Sequence, residues 1–276
     1  MSDLREVVDT EDDAIDVGMF EEPEDYRPPT PPPTFATHNL LDTSKSITVR
    51  LVGKNPLWGH LLWNASRVCA NYIESHASEL VRSKTVLEFG AGAGLPGLLC
   101  AGLGASIVVL SDYPDPDLLS NLEYNKTHSI STSDESQDGQ TETHEKLVLD
   151  NGARVECAGY IWGHNAQNLL TICPQGFDLL ILSDLIFNHS QHEALLKSVQ
   201  STLAKPDGVA LVFFTPHRPW LYEADLNFFK IARESGDFDV EQVLEQKMDK
   251  AMFEVDKGDE NVRRMVYGYR ITWKKV

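Results

Sequence analysis

A glutamate and a run of glycines lie at the end of an apolar segment between residues 86 and 97. The segment reads Val-Leu-Glu-Phe-Gly-Ala-Gly-Ala-Gly-Leu-Pro-Gly. Gly90 and Gly92, with Ala91 between them, allow a sharp turn with positive φ and place no bulky side chain in the path of an adenosyl group. The pattern therefore predicts a strand, a glycine-rich turn and a helix that together bind a nucleotide-like ligand.

Two carboxylates accompany this turn. Asp112 ends a second apolar segment and lies 20 residues after Gly92, which is the spacing of an acid that binds the two ribose hydroxyls. The alternative for Asp112 is a turn-capping role, because it begins the run Asp-Tyr-Pro-Asp-Pro-Asp and aspartate favours turns and helix N-caps. Glu88 stands just before the glycines and fits an S-adenosylmethionine site, where it orients the loop or meets the methionine ammonium.

The glycines permit a second interpretation. Residues 92–97 also satisfy the dinucleotide fingerprint G-x-G-x-x-G, so a hydride-transfer enzyme is an alternative. However, the glycines begin at Gly90, which gives the pattern E-x-G-x-G-x-G of class I methyltransferases. No proton donor for hydride transfer stands out further along the chain, so the pattern favours methyl transfer.

Ligands in open α/β sheets bind beyond the carboxyl ends of the strands. Trp162 follows the third predicted strand and is a candidate to stack on adenine, with core packing as the alternative. Ser183 and Asp184 end the fourth, at the edge where a methyl acceptor would lie; a structural N-cap is the alternative for Asp184. His217 and Arg218 follow the fifth and are candidates to steer the substrate, although lone histidines are more often structural.

Two tryptophans precede the predicted sheet. Trp58 and Trp63 are five residues apart, too far round a helix to form one stripe. At least one should therefore leave the core, and Trp63 is predicted to cover the cofactor.

The remaining chain alternates between strand and helix patterns, which predicts an α/β fold: a Rossmann-like, seven-strand methyltransferase sheet with helices on both faces. The last strand pair is expected to be joined by a short connection, with strand seven antiparallel to the rest. The predicted strands are Thr85–Phe89, Ser106–Leu110, Arg154–Ala158, Asp178–Ser183, Val209–Thr215, Phe238–Leu244 and Arg264–Trp273. The predicted helices are Leu61–Ser83, Leu95–Leu103, Asp117–Lys126, Ser190–Leu203 and Leu221–Glu234.

Composition predicts an acidic and proline-rich arm over residues 1–36, and the motifs with the alternation of strands and helices assign residues 37–276 to a class I methyltransferase domain. Residues 1–26 hold eleven acidic side chains against one arginine, and residues 28–33 are almost wholly proline. Phe20, Tyr26 and Phe35 are candidate anchors for this arm. Residues 129–145 form a polar stretch that predicts a surface insertion.

Charge and cysteine usage narrow the class of protein. The net charge of −18 argues against direct nucleic-acid binding. It is consistent either with a basic partner or with a charge that only keeps the protein soluble. The four cysteines have no C-x-x-C spacing, which argues against a zinc site or a disulfide framework. Without a secretory signal or an apolar run of about 18 residues, we expect a cytoplasmic protein with no membrane segment and no metal.

These features together resemble the seven-strand protein methyltransferases of the lysine-modifying family sixteen, over most of residues 50–273. The resemblance implies an S-adenosylmethionine cofactor and cofactor contacts by Trp63, Gly90, Ala91, Gly92, Asp112, Trp162 and Ser183. It makes Asp184 the acidic member of a D-x-x-Y motif, with a catalytic role toward the acceptor. Phe187 replaces the tyrosine of that motif, which leaves Asn188 as a possible substitute.

The segments Phe-Glu-Glu-Pro-Glu-Asp-Tyr-Arg-Pro, Pro-Leu-Trp-Gly-His-Leu-Leu-Trp-Asn and Pro-His-Arg-Pro extend the likeness. They are similar to fungal protein N-terminal and lysine methyltransferases. This resemblance implies translation elongation factor 1-alpha as the protein substrate, methylated at its N-terminal glycine and the adjacent lysine. A small-molecule, nicotinamide-like N-methyltransferase and a non-catalytic cofactor-binding scaffold are the alternatives.

Overall fold

The fold was analysed in a computed structural model, which describes residues 31–41, 44–130, 145–147, 152–253 and 255–275. The strands are β1 Thr34–Asn39, β2 Lys45–Leu51, β3 Thr85–Phe89, β4 Ile107–Asp112, β5 Glu145–Lys146, β6 Arg154–Gly159, β7 Leu179–Ser183, β8 Val209–Phe214, β9 Phe238–Lys247 and β10 Met265–Trp273. The α-helices are α1 Asn64–Ser75, α2 Ala77–Leu80, α3 Leu95–Gly102, α4 Pro116–His128, α5 Gln167–Ile172, α6 His192–Thr202, α7 Tyr222–Glu234 and α8 Glu260–Arg263.

Seven strands form the central sheet, in the order β6-β4-β3-β7-β8-β10-β9. β6, β4, β3, β7 and β8 pair in parallel. β10 lies between β8 and β9 and pairs antiparallel with both. The predicted seven-strand methyltransferase sheet with an antiparallel last strand is therefore confirmed.

Helices cover both faces of this sheet, as predicted. Successive side chains of a strand point to opposite faces, and in β3 both Val86 and Leu87 are fully buried. Val86 packs in one core with Val68 of α1 and Leu98 of α3. Leu87 packs in the other core with residues of α6 and α7, among them Phe228. Burial on both faces explains why the central parallel strands β7 and β8 are nearly continuous apolar runs.

Several predicted boundaries were wrong. The helix predicted over 61–83 is two helices that meet at His76, and its predicted first residues, 61–63, belong to an irregular segment over residues 55–63. The small sheet β1-β2-β5 was not predicted. It depends on β2 pairing with β5 about 100 residues later, a contact that no local pattern reveals.

The structure describes only the two ends of the predicted insertion at about 129–145. Ser129 and Ile130 are buried, and Glu145 begins β5. Residues 131–144, like the acidic arm over residues 1–30, lie outside the described residues. β1 begins at Thr34, inside the range assigned to the arm, and Phe35 on this strand is exposed.

The connection between β9 and β10 spans residues 248–264 and contains α8, so the expectation of a short connection was wrong. Buried Arg263 of α8 donates from Nη1 to the Phe253 carbonyl at 2.8 Å, and Asn64 of α1 donates to the Lys250 carbonyl at 3.2 Å. The connection is thereby held beside the start of α1. No helix in the described part of the chain is long and apolar enough to cross a bilayer.

Candidate functional site

A cavity of about 580 Å³ lies beyond the carboxyl ends of β3, β4, β6 and β7. Every residue predicted to contact the cofactor lines this cavity, as do the two acceptor candidates Asp184 and Asn188, whereas His217 and Arg218 do not. The predicted residues that line it are Trp63, Glu88, Gly90, Ala91, Gly92, Asp112, Trp162, Ser183, Asp184 and Asn188. The structure thus brings the predicted residues together, while their individual roles stay predictions.

The glycine-rich turn has the backbone that the sequence predicted. Gly90 and Gly92 have φ values of 54° and 56°, in the left-handed region that glycine adopts without strain. A Cβ on Gly90 would lie 2.6 Å from Leu185 Cδ2, whereas a Cβ on Gly92 would meet no protein atom within 4 Å. Gly92 therefore borders open space in the cavity, where a ligand can approach the backbone.

Glu88 is buried, and its Oε2 accepts a hydrogen bond from the Gly97 backbone N–H at 2.9 Å. This bond ties the carboxyl group to the first turn of α3 and so orients the glycine-rich turn. Burial raises the pKa of Glu88 to about 8, and the nearby Asp112 carboxylate adds to the shift. A cation that enters the cavity beside Glu88 would favour its ionised form.

Asp112 accepts two backbone hydrogen bonds. Its Oδ2 accepts from the Gly92 N–H and its Oδ1 from the Tyr113 N–H, both at 2.7 Å. A carboxylate oxygen has two acceptor positions, so each oxygen keeps one for a ligand hydroxyl. Asp112 thus stabilises the turn and can still bind ribose. The helix cap in this stretch is Asp115, whose side chain accepts from the backbone at the start of α4.

Two further residues indicate space for a polar, flat ligand. Ser183 Oγ is buried and has no hydrogen-bond partner in the described structure. An unpaired buried hydroxyl is costly, so a polar group of a ligand in the cavity would satisfy it. Trp162 is half-buried and lines the cavity, and a Cβ placed on Gly90 would lie 3.4 Å from its ring, so the indole flanks the glycine-rich turn.

Asp184 lies directly after β7 and is buried with an unusual backbone. Its φ is 57°, a conformation that non-glycine residues adopt rarely and often at functional sites. Its N–H donates to the Phe213 carbonyl at 2.7 Å, and its Oδ1 accepts from the Thr215 N–H at 3.1 Å. These bonds to β8 and the residue following it hold the carboxylate toward the cavity.

His217 is the second group that contacts the Asp184 carboxylate. Its Nε2 lies 2.9 Å from Asp184 Oδ2, and its ring packs edge-on against Trp63 at a centroid distance of 5.0 Å. Burial alone would lower the pKa of His217, but the hydrogen-bonded Asp184 carboxylate, with smaller contributions from Asp225 and Asp256, raises it overall. His217 therefore acts on Asp184 and does not itself line the cavity.

The loop after β7 is fixed by side chains from neighbouring elements. Arg218 Nη2 donates to the Phe187 carbonyl at 2.8 Å, so Arg218 holds the loop, and its role in steering the substrate stays a prediction. Asn188 is exposed at the cavity rim, and its Oδ1 accepts from Ser190 Oγ at 3.0 Å. His189 pairs with buried Asp225 at 2.6 Å.

The sequence did not identify two aromatic residues at the acceptor side. Trp58 lines the cavity, although no pattern in the sequence indicates a role for it. Phe253 packs against both Trp58 and Trp63, with centroid distances of 6.1 and 5.9 Å. No signal in the sequence marks Phe253 as a site residue, because only the folded β9–β10 connection brings it to the site.

The seven-strand sheet with antiparallel β10, the glycine-rich turn after β3 and the acid at the end of β4 define a class I, S-adenosylmethionine-dependent methyltransferase. The cavity suits that cofactor because Gly92 leaves its backbone open and Ser183 offers an unpaired hydroxyl. The chain belongs to the lysine methyltransferase family, whose profile matches residues 43–235.

Relatives similar to this chain cover nearly all of it. The protein N-terminal and lysine N-methyltransferase efm7 of Aspergillus fumigatus is 43% identical over 268 residues, which is 95% of this chain and 96% of that protein. The corresponding EFM7 of Yarrowia lipolytica is 41% identical, over 96% of this chain and 98% of that protein. The efm7 of Schizosaccharomyces pombe is 41% identical, over 92% and 94%.

Solved structures share the fold. The 16S rRNA N2 G1207 methyltransferase RsmC of Thermus thermophilus, in complex with AdoMet and guanosine, superposes with a TM-score of 0.52 at 15% identity, covering 90% of this chain and 52% of that one. A putative RNA methyltransferase of Pyrococcus horikoshii superposes with a TM-score of 0.50 at 16% identity, covering 80% of this chain and 90% of that one.

Proposed function

We propose that this methyltransferase modifies the α-amino group of an N-terminal glycine and the adjacent lysine of translation elongation factor 1-alpha, in the cytoplasm. The observation that carries the proposal is the buried Asp184 carboxylate at the acceptor end of the cavity, where an ammonium group is expected to bind. The relatives' names, which pair N-terminal and lysine methylation, support the same substrate class.

Bound S-adenosylmethionine supplies a methyl group already activated on a sulfonium. The remaining task of the chain is to hold a neutral amine in line with that methyl. An α-amine has a reference pKa of about 7.7 to 8.0 and lysine about 10.4, so the terminus loses its proton more easily. Asp184 attracts and orients the ammonium, but a carboxylate also stabilises the charged form. We therefore assign Asp184 a positioning role, with Asn188 beside it.

The His217–Asp184 pair makes stability depend on pH. The raised pKa of His217 means that its stabilising contribution is fully present below the unfolded value of about 6.5 and is lost as pH rises through the folded value. We expect wild type to have a higher Tm than His217→Gln at pH 5.5 and a smaller advantage at pH 9, measured by calorimetry. An advantage independent of pH would contradict the assignment.

Glu88 is expected to couple cofactor binding to proton release. Its pKa of about 8 in the free protein keeps it mostly protonated at pH 7, and a cationic ligand group beside it would lower that pKa. Titration calorimetry of S-adenosylmethionine at pH 7 in two buffers of different ionisation enthalpy should show proton release by wild type. Glu88→Gln should show less release, and equal release by both would assign the protons elsewhere.

The substrate test uses labelled S-adenosylmethionine. Three acceptors are compared. The first is a peptide that begins Gly-Lys, the second is a control version of that peptide with an acetylated N-terminus and alanine in place of the lysine, and the third is nicotinamide. We expect transfer to the first peptide and to elongation factor 1-alpha, and none to the others. Transfer to nicotinamide alone would favour a small-molecule enzyme. Cofactor binding without transfer to any acceptor, including cytosolic extract, would favour a scaffold.

The acidic arm is proposed to attract this basic substrate. The eleven acidic residues within 1–26 lie outside the described residues, and their negative charge is what supports this role. At 0.1 M salt such attraction is largely screened beyond about 10 Å. Charge complementarity mainly raises the rate of association rather than the affinity.

A further inference from the structure

Trp58 has an unusual conformation for so large a residue. Its φ is 64°, in the left-handed region, where a bulky side chain is a genuine outlier. The indole is 46% exposed at the mouth of the cavity. Strained residues persist where neighbouring groups fix them, and they cluster at ligand clamps.

Contacts from two segments fix this ring. The Trp58 backbone N–H donates to the Asn55 carbonyl at 3.0 Å and so fixes the backbone that carries the ring. The indole stacks on His60 at a centroid distance of 5.9 Å and meets Trp63 and Phe253 edge-on, at interplanar angles of 66° and 68°. Trp58, Trp63 and Phe253 thus form an aromatic corner that joins residues 55–63 to the β9–β10 connection.

This aromatic corner lies next to the acceptor carboxylate. The Trp63 ring is 5.0 Å from the ring of His217, and His217 is hydrogen-bonded to Asp184. The acceptor side of the cavity therefore offers two different sites for cations. One is the Asp184 carboxylate, and the other is an aromatic surface, of which tryptophan provides the strongest cation–π partner.

We propose that Trp58 is a specificity-determining residue that holds the second cation of the acceptor while Asp184 holds the amine to be methylated. The inference rests on the proposed function, in which the acceptor carries two neighbouring amines. When the terminal amine is at Asp184, the adjacent lysine lies against Trp58. Phe253 is a positioning residue that supports the indole from the β9–β10 connection.

The test compares binding of two peptides that differ only at their second residue, Gly-Lys and Gly-Ala, by fluorescence anisotropy with S-adenosylhomocysteine present. Wild type should prefer the Gly-Lys peptide about ten-fold, the scale of a partly desolvated cation–π contact. Trp58→Gly should remove this preference, while Trp58→Phe should keep most of it. Phe253→Leu should weaken it in part.

Stability separates this role from a structural one. Glycine suits a positive φ, so Trp58→Gly should keep its Tm within about 2 °C of wild type, or raise it. Leu41→Ala is the control, because Leu41 is a similarly exposed apolar residue held at the far end of α1 by Glu74. It should leave the preference unchanged.

The two proposals fail in different ways. A preference that survives in Trp58→Gly, or its absence in wild type, overturns the role of Trp58 even if transfer to Gly-Lys is normal. A preference that Trp58→Gly abolishes, without transfer by wild type, supports the role of Trp58 and contradicts the proposed reaction.

Discussion

Replacing Asp184 with alanine is expected to lower kcat for the Gly-Lys peptide by about 100-fold or more, because misplacing a reacting group by 1 Å already costs about that much. Cofactor affinity should stay within about two-fold of wild type, since the hydrogen bonds of Asp184 go to Thr215 and His217 on the acceptor side. Transfer kinetics and calorimetric titration of S-adenosylmethionine measure the two effects separately.

The left-handed backbone of Asp184 requires its own control. Asp184→Gly suits the φ of 57° and removes the carboxylate, so it should lose transfer as fully as Asp184→Ala while unfolding at a higher temperature than that variant. Asp184→Asn keeps an acceptor for the Thr215 N–H but carries no charge, so its rate of methyl transfer should also be low. Equal losses of transfer and of cofactor affinity would show that Asp184 does not act specifically on the acceptor.

The cofactor side of the site was predictable because its signals are local. Glu88, Gly90 and Gly92 lie within five residues of each other, and Asp112 follows at the end of the next strand in the chain. Parallel strands bring their carboxyl ends to one edge of a sheet. The fold and this half of the cavity therefore follow from strand patterns and one spacing.

The acceptor side depends on contacts between distant segments. Asp184 and His217 are 33 residues apart, and Phe253 meets Trp58 only through the β9–β10 connection. The irregular backbone of residues 55–63 and the left-handed Trp58 leave no periodic pattern in the sequence. For these reasons the sequence identified Trp63 and Asp184 as candidates, but not the aromatic corner that Trp63 forms with Trp58 and Phe253.

Asp112→Ala is expected to weaken S-adenosylmethionine binding by roughly 2 to 3 kcal/mol, the range for hydrogen bonds to a charged group. Two losses contribute, because the carboxylate is predicted to bind ribose with one acceptor position on each oxygen and uses another to accept a hydrogen bond from the Gly92 N–H. At saturating cofactor kcat should be largely kept, since Asp112 takes no part in holding the amine.

Asp115→Ala is the matched control for Asp112, three residues further along the same loop. Its side chain caps α4 by accepting from the Asp117 and Leu118 N–H groups, so its removal should cost about 1 kcal/mol of stability without changing cofactor affinity. Calorimetric titration and thermal unfolding of both variants distinguish the roles. Unchanged affinity in a folded Asp112→Ala protein would mean that Asp112 only stabilises the turn, and the cofactor would then depend on the glycine-rich backbone and Ser183 for its polar contacts.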